Sequence, residues 1–212
     1  MSSCHNVNAG VFSFVPLIQP QASPGTMKTG QKELLRRKAL SRRQTLPPST
    51  RTKASGLIQD QLISHFSGEY SKWLVYRSMA DEVATGRIFL EVRAHVFAPV
   101  TSSSGDMKWH QVHTNTRWKS GRHHVQEPVD GLLWQEDKTE CLVICPLVGF
   151  DRKGTRLGLG LGCFDRWLAM HRHHIACKVG LAFSCQELEC IPAEKHDIPL
   201  DYIITESELI AC

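Results

Sequence analysis

The stretch Pro146 to Leu168, PLVGFDRKGTRLGLGLGCFDRWL, holds the residue types best suited to chemistry in this chain. An apolar run leads into a loop with glycine at Gly158, Gly160 and Gly162, and a helix-forming sequence begins near Asp165. Glycines remove the side chains that would keep an anion from backbone amides, and a helix start leaves amides free to meet a phosphate. The loop is not the dinucleotide fingerprint, which would need glycine at Cys163, and no Gly-Lys-Ser/Thr follows as in a P-loop. Taken alone, a G-x-G-x-G loop is equally a tight turn.

The second candidate for chemistry is a block of positive charge. Residues 28–53 hold nine Lys or Arg against Glu33 alone, a local charge of +8 in a chain of net +4, so the remainder carries −4. Such a segment fits an anion site built from one helix, a nucleic-acid face or a solvated helix face. The eight cysteines contain no pair with zinc-knuckle spacing; the nearest, Cys141 and Cys145, sit in an apolar run and read as buried thiols in a reducing compartment. The eleven histidines include His123-His124 and His173-His174 but no H-E-x-x-H pattern, and read as surface residues.

These groups need a scaffold. The 212 residues suffice for one domain with a real core, and no apolar run approaches the ~20 residues of a membrane span. Residues 1–27 are uncharged and make a poor signal peptide; they are expected to be a disordered extension or to precede the true start, leaving 28–212 as one domain. Helices are expected over 28–46, with Leu34, Leu35 and Leu40 apolar, then over a second segment capped by Ser49 or Thr50 that buries Leu57, Ile58, Leu62 and Phe66. A further helix is expected over 83–93 and another over 165–174. Strands are expected at 73–76, 96–100, 142–146, 179–183 and 202–205, the last closing the fold, with an edge-like run at 108–112. Strands alternating with helices imply an α/β sandwich around a mostly parallel, mixed central sheet of Rossmann-like form.

Gly149-Phe150-Asp151, Gly154 and Arg156-Leu157-Gly158-x-Gly160-x-Gly162-x-x-Asp165-Arg166-x-Leu168 together resemble the signature of the 5-formyltetrahydrofolate cyclo-ligase family. Other marks follow in order: Lys32-x-x-Leu35-Arg36, Asp81-Glu82-x-x-Thr85, Glu127-Pro128, Ala182-Phe183-x-x-Gln186 and Ile191-Pro192-x-Glu194-x-His196-Asp197. The resemblance implies a three-layer α/β fold and a cytoplasmic, monomeric enzyme. It would convert 5-formyltetrahydrofolate and MgATP to 5,10-methenyltetrahydrofolate, ADP and phosphate, with reduced folate and ATP as partners and neither nucleic acid nor membrane. It implies ATP contacts from Lys32, Arg36 and Arg156 to Phe164 (Leu157, Gly158, Leu159, Gly160, Leu161, Gly162 and Cys163 between them). Folate contacts are implied for Arg36, Arg77, Glu82, Leu159, Gly160, Leu161, Gly162 and Cys163, with Glu82 on the pterin edge. Magnesium is implied at Asp165 and Asp197, with Asp151 and Arg166 supporting the loop; Arg37, Lys38, Arg42 and Arg43 are left as a solvated basic face.

The chain departs from the family pattern where Leu161 replaces a common Lys and Cys163-Phe164 an aromatic pair ending in Tyr. Arg77-Ser78 stands where Leu-Ser is frequent, and His95 runs straight into a strand. These departures leave open a non-catalytic or repurposed relative binding a nucleotide or another heterocycle, such as a thiamine-related one.

Overall fold

A strand whose residues are apolar at every position must be covered on both faces, and helices with one buried stripe supply the covers. The computed structural model, which describes residues 24–121, 125–137 and 141–212, meets that need with a seven-stranded sheet. At its centre lies β6 (Cys141–Cys145), buried at every position. Beside it run β1 (Lys72–Val75) and β9 (Ile175–Leu181), then β2 (His95–Thr101) and β10 (Tyr202–Ile204), all parallel. Antiparallel strands close the edges: β3 (Met107–Gln111) beside β2 and β11 (Leu209–Ala211) beside β10. The order is β11-β10-β9-β6-β1-β2-β3.

Alternate side chains go to opposite layers. Trp73, Val75, Leu142 and Ile144 join Ile58, Leu62 and Phe66 of α2 (Pro48–Phe66). Leu74, Cys141, Val143 and Cys145 instead meet Trp167 and Leu168 of α4 (Cys163–His171). The third helix, α1 (Pro24–Gln44), packs Leu35, Ala39 and Leu40 on Val148, Leu157, Leu188 and Ile191. The three-layer α/β architecture and its mostly parallel sheet are therefore as expected, with Cys141, Cys145 and Cys177 serving as small core residues. Residues 1–23 and the pair His123-His124 lie outside the described residues. Among those described, no helix is long and apolar enough to cross a membrane.

Several local expectations are corrected. Helix α1 starts at Pro24, upstream of the expected Lys28. Its inward stripe is Lys32, Leu35, Ala39 and Arg43, a mixture of apolar and basic residues, so Leu34 falls off it and is 68% exposed. Leu57 likewise misses the Ala54-Ile58-Leu62 stripe of α2 and faces solvent. Neither Ser49 nor Thr50 caps α2; Pro47 precedes it and Pro48 opens it, its ring fixing φ at a helical value.

The helix expected over 83–93 is one turn, α3 (Ile88–Glu91). Ahead of it the Ser78 N–H donates to Thr85 Oγ1 and the Thr85 N–H to Ser78 Oγ, both at 3.2 Å, while the Thr85 hydroxyl donates to the Tyr76 carbonyl at 2.9 Å. Side-chain bonds of this kind satisfy backbone groups that a helix would otherwise use. The final helix ends at His171 and continues only as a 3-10 turn, and β11 follows the strand expected to be last.

Because Leu142 is wholly buried between layers, Leu142→Ala is expected to lower the unfolding free energy by about 2–5 kcal/mol. Leu57→Ala, at a surface position, should change it by less than about 0.5 kcal/mol. Urea denaturation of the two variants beside the parent measures both.

Candidate functional site

Strand order reverses between β1 and β6, and in open parallel sheets ligands sit beyond the strand carboxyl ends at such a point. A cavity of about 450 Å³ opens there. Tyr76, Arg77, Met79 and Glu82 reach it from the segment after β1, and Pro146, Leu147 and Val148 from the segment after β6. Lys32 and Arg36 enter from α1, and the whole stretch Arg156 to Asp165 forms one wall. Glu194, His196 and Asp197 complete it from the loop before β10. Every residue for which a ligand or metal contact was expected thus borders one cavity, although the chain delivers them from four separate regions.

The glycine loop has a defined shape. Gly160 and Gly162 take φ of +92° and +64°, a region that disfavours any side chain, and Gly162 directly precedes α4. Arg36 reaches over the loop and donates from Nε to the Gly158 carbonyl at 3.0 Å. From the other side the Arg166 guanidinium donates to the Leu161 carbonyl at 2.9 Å. Asp151, buried at the loop's root, accepts N–H bonds from Lys153 and Thr155 on one oxygen and from Ile191 on the other. Leu159 and Leu161 are 51% and 44% exposed at the mouth. Phe164 lies edge-on against Trp109, ring centres 6.0 Å apart.

Charge is closely matched around the wall. Lys32 Nζ lies 2.6 Å from both Glu194 Oε2 and Asp197 Oδ2, with the Lys32 side chain 6% exposed. Burial by itself lowers the Lys32 pKa, but the bonds from Asp197 and Glu194 outweigh it and the ammonium is held above its ordinary value. The Glu194 carboxyl is lowered chiefly by its bond from Lys32. Asp197, which burial would raise, is brought below its usual value by Lys32 and by the Glu194 N–H. Those two residues also close a turn on each other, the Asp197 N–H donating to the Glu194 carbonyl at 3.0 Å. Asp165 does not cap its helix: its Oδ1 accepts from Arg156 at 2.8 Å and from the Ile198 N–H at 3.3 Å.

Opposite the loop, Arg77 lies over the rings of Trp118 and Phe89, 4.8 and 5.5 Å from their centres, and burial lowers its pKa. Glu82 accepts the Met79 N–H at 2.8 Å, and burial pushes its carboxyl up against the opposing pull of that bond and of Arg43.

Of the basic residues assigned to a solvated face, Arg37, Lys38 and Arg42 are exposed but Arg43 is not; it is 2% exposed and ion-paired to Asp81 at 2.8 Å. The correction follows from helix geometry, since Arg43 lies on the stripe of Lys32 and Ala39 that turns inward.

Three acidic or histidine residues of the wall carried no expected role. Glu127, on β5 (Gln126–Pro128), is buried and accepts the Thr101 N–H at 2.9 Å. Glu194 and His196 join Asp197 in the one cluster, among the described residues, whose ligand atoms all lie within 4.8 Å of one another. Glu-x-His-Asp and Glu-Pro are both visible as sequence marks, but nothing in their spacing reveals that they converge.

The family model for the 5-formyltetrahydrofolate cyclo-ligase family matches residues 28–206. A 5-formyltetrahydrofolate cyclo-ligase of Escherichia coli is 44% identical over 68 residues, which are 32% of this chain and 37% of that relative, so the match spans little more than a third of the bacterial protein. A probable 5-formyltetrahydrofolate cyclo-ligase of Caenorhabditis elegans is 29% identical over 76% of this chain and 85% of its own. Among solved structures, the 5,10-methenyltetrahydrofolate synthetase of Aquifex aeolicus is similar with a TM-score of 0.72 and 29% identity, covering 85% of this chain and 92% of that one.

The Lys32 ion pairs give a stability signal with a defined sign. Depressed carboxyl pKa values mean stabilisation present above the unfolded values near pH 4 and lost as pH falls through the lower folded values. The raised Lys32 pKa means that it is also lost as pH climbs past about 10.5. Lys32→Met is therefore expected to melt below the parent near neutral pH, with the two melting temperatures converging at both extremes. Thermal melts of the pair across pH check this.

Proposed function

The chain belongs to the 5-formyltetrahydrofolate cyclo-ligase family, and on that premise we propose that it closes the ring of 5-formyltetrahydrofolate, consuming ATP and giving 5,10-methenyltetrahydrofolate, ADP and phosphate. The observation that carries the reading is the convergence on one cavity of the glycine loop, the α1 cations, Glu82 and the Asp165 and Asp197 carboxylates.

The chemistry explains why such a wall suffices. A formamide oxygen is a poor leaving group. When that oxygen attacks the γ-phosphorus of ATP, the bond to ADP breaks and the formyl carbon becomes linked to a phosphate. The neighbouring secondary amine of the folate then adds to that carbon, the C–O bond breaks, phosphate departs and the amine proton is lost. No protein nucleophile is needed; positioning and charge stabilisation carry the rate.

Arg36 and the amides of residues 158–162 would cradle the phosphates, with Arg156 behind them. Lys32, buried against two carboxylates, would exchange them for phosphate oxygens as nucleotide enters. Glu82 would accept N–H bonds from the pterin, and Arg77, held over two rings, would line the folate side. Leu159 and Leu161 offer apolar contact at the mouth.

The residues fit a magnesium ion. Asp165 and Asp197 are hard oxygen donors beside a phosphate cradle, and magnesium favours one or two carboxylates together with substrate phosphates. Each carboxylate already faces a cation of this chain, Arg156 or Lys32, with which a bound ion would share it. The ion would supply neutralisation of the phosphate charge.

One observation favours the second reading, a repurposed relative: the mouth carries exposed leucines at 159 and 161 rather than cations. The two readings diverge in an absorbance assay for methenyltetrahydrofolate formation, run with ATP and magnesium beside Asp165→Asn. Turnover is expected in the parent, with a loss of roughly 100-fold or more in the variant. A folded parent with no turnover would sink the cyclo-ligase reading and favour the relative.

A further inference from the structure

Arg43 does not border the cavity, yet it is bonded to two of the segments that do. Its guanidinium donates to Asp81 Oδ2 from Nη2 at 2.8 Å and from Nε at 3.2 Å. Nη1 donates to the Leu147 carbonyl at 3.5 Å and lies 4.0 Å from Glu82 Oε1. One buried cation on α1 therefore ties the segment after β1 to the segment after β6, the two sides of the crevice. The second Glu82 oxygen is fixed independently by the Met79 N–H.

We propose that Arg43 is a positioning residue for substrate recognition, holding Glu82 ionised and fixed at the cavity wall so that it can accept paired N–H bonds from a flat, donor-bearing heterocycle. The identity of that heterocycle rests on the folate reading; the action of Arg43 on Glu82 rests on geometry alone.

The physical case is one of competing terms. The Glu82 side chain is 8% exposed, and burial favours a neutral acid. A neutral acid presents one O–H and loses the paired acceptor character that such an edge requires. Apart from Arg43 and the Met79 N–H, which both favour the carboxylate, the groups around Glu82 do not offset its burial. Asp81 beside it is negative, and the Tyr76 hydroxyl, just after β1, is spent on the Val83 carbonyl. Glu127 borders the same cavity with its own negative charge. Arg77, Lys32 and Arg36 also border it, but Arg36 is engaged by Gly158 and Glu33, Lys32 by Asp197 and Glu194, and Arg77 lies over two rings. Among the described residues, Arg43 is the cation within 4.0 Å of Glu82. Removing it would also release the Asp81 charge beside Glu82, so both consequences push the Glu82 carboxyl the same way.

The test reads Glu82 directly. Protein carrying ¹³C at glutamate carboxyls would be titrated by NMR, with Glu82→Gln assigning the signal, in the parent, Arg43→Met and Arg43→Lys. The expected result is a rise of about 1–3 pH units in the Glu82 midpoint for Arg43→Met and little change for Arg43→Lys. In parallel, calorimetry would follow 5-formyltetrahydrofolate binding across pH without nucleotide. Affinity in Arg43→Met should fall about 10-fold or more at neutral pH and recover as pH rises, its acidic limb displaced with the Glu82 midpoint. Affinity for a non-hydrolysable ATP analogue should stay within about twofold.

If Arg43→Met does not fold, Arg43→Gln combined with Asp81→Asn removes both charges of the ion pair and should still raise the Glu82 midpoint. Unaltered Glu82 titration in the folded variant, or a folate loss equal at every pH, would overturn the proposal and leave Arg43 a packing residue. A shifted Glu82 in a protein whose parent binds no 5-formyltetrahydrofolate would support the positioning role and sink the folate reading alone.

Discussion

A cation taken out of water must find an anion or a carbonyl, and α1 turns three of them inward. Lys32 meets Glu194 and Asp197, Arg36 meets the Gly158 carbonyl, and Arg43 meets Asp81 and the Leu147 carbonyl. Those partners lie on the loops that follow β1, β6, β8 (Arg156–Leu157) and β9. Loops at strand ends have few apolar contacts of their own. A buried ion pair is dearly won in desolvation, but breaking one leaves an uncompensated charge, so each pair fixes where its loop can sit. The crevice keeps its shape because one helix holds its rim through these charges as well as through the packing of Leu35, Ala39 and Leu40 on Val148 and Leu157.

On the proposed reading, the same pairs prepare the crevice for ligands. Lys32 and Arg156 sit on the carboxylates most suited to a hard cation, and both are within reach of the glycine loop that would carry phosphates. Preorganised charges of this kind need little rearrangement when a transferring phosphoryl group arrives. The glycine loop contributes shape: the positive φ at Gly160 and Gly162 turns the chain into α4, while Arg36, Arg166 and Asp151 pin the loop from three directions. Asp151 uses both oxygens on backbone N–H groups, so a buried carboxylate is satisfied without a cationic partner. Its role is to hold the root of the loop while Asp165, fourteen positions on, faces the cavity.

Opposite the loop the wall is built differently. Arg77 is shielded over Trp118 and Phe89, and Glu82 and Glu127 are buried carboxylates each accepting a backbone N–H. Gly121 keeps room for Glu127, since a Cβ there would come within 2.2 Å of its side chain. One side of the cavity thus suits an anion and the other a flat molecule with hydrogen-bond donors. That division fits the proposed reaction between a nucleoside triphosphate and a reduced pterin.

The sequence by itself determined the layers and the loop. The unbroken apolar run at 142–146 suited a strand covered on both faces, and glycine at 158, 160 and 162 before a helix start marked a loop open to an anion or to a tight turn, because these signals are local and periodic. Through the family resemblance it also pointed to some of the residues that border the cavity, among them Lys32, Arg36, Glu82, Asp165 and Asp197. What only the tertiary structure decided was partnership. That Lys32 faces Asp197, that Asp165 meets Arg156 rather than its own helix end, and that Glu127 and Glu194 join the wall depend on contacts between distant segments. Arg43 shows the limit most clearly. Composition makes it one of many basic residues on a polar-looking helix, and its burial follows from the placement of Asp81 and Leu147 beneath it. The short helix at Ile88–Glu91 has the same cause, since Ser78 and Thr85 bond each other across a loop whose closure no run of propensities encodes.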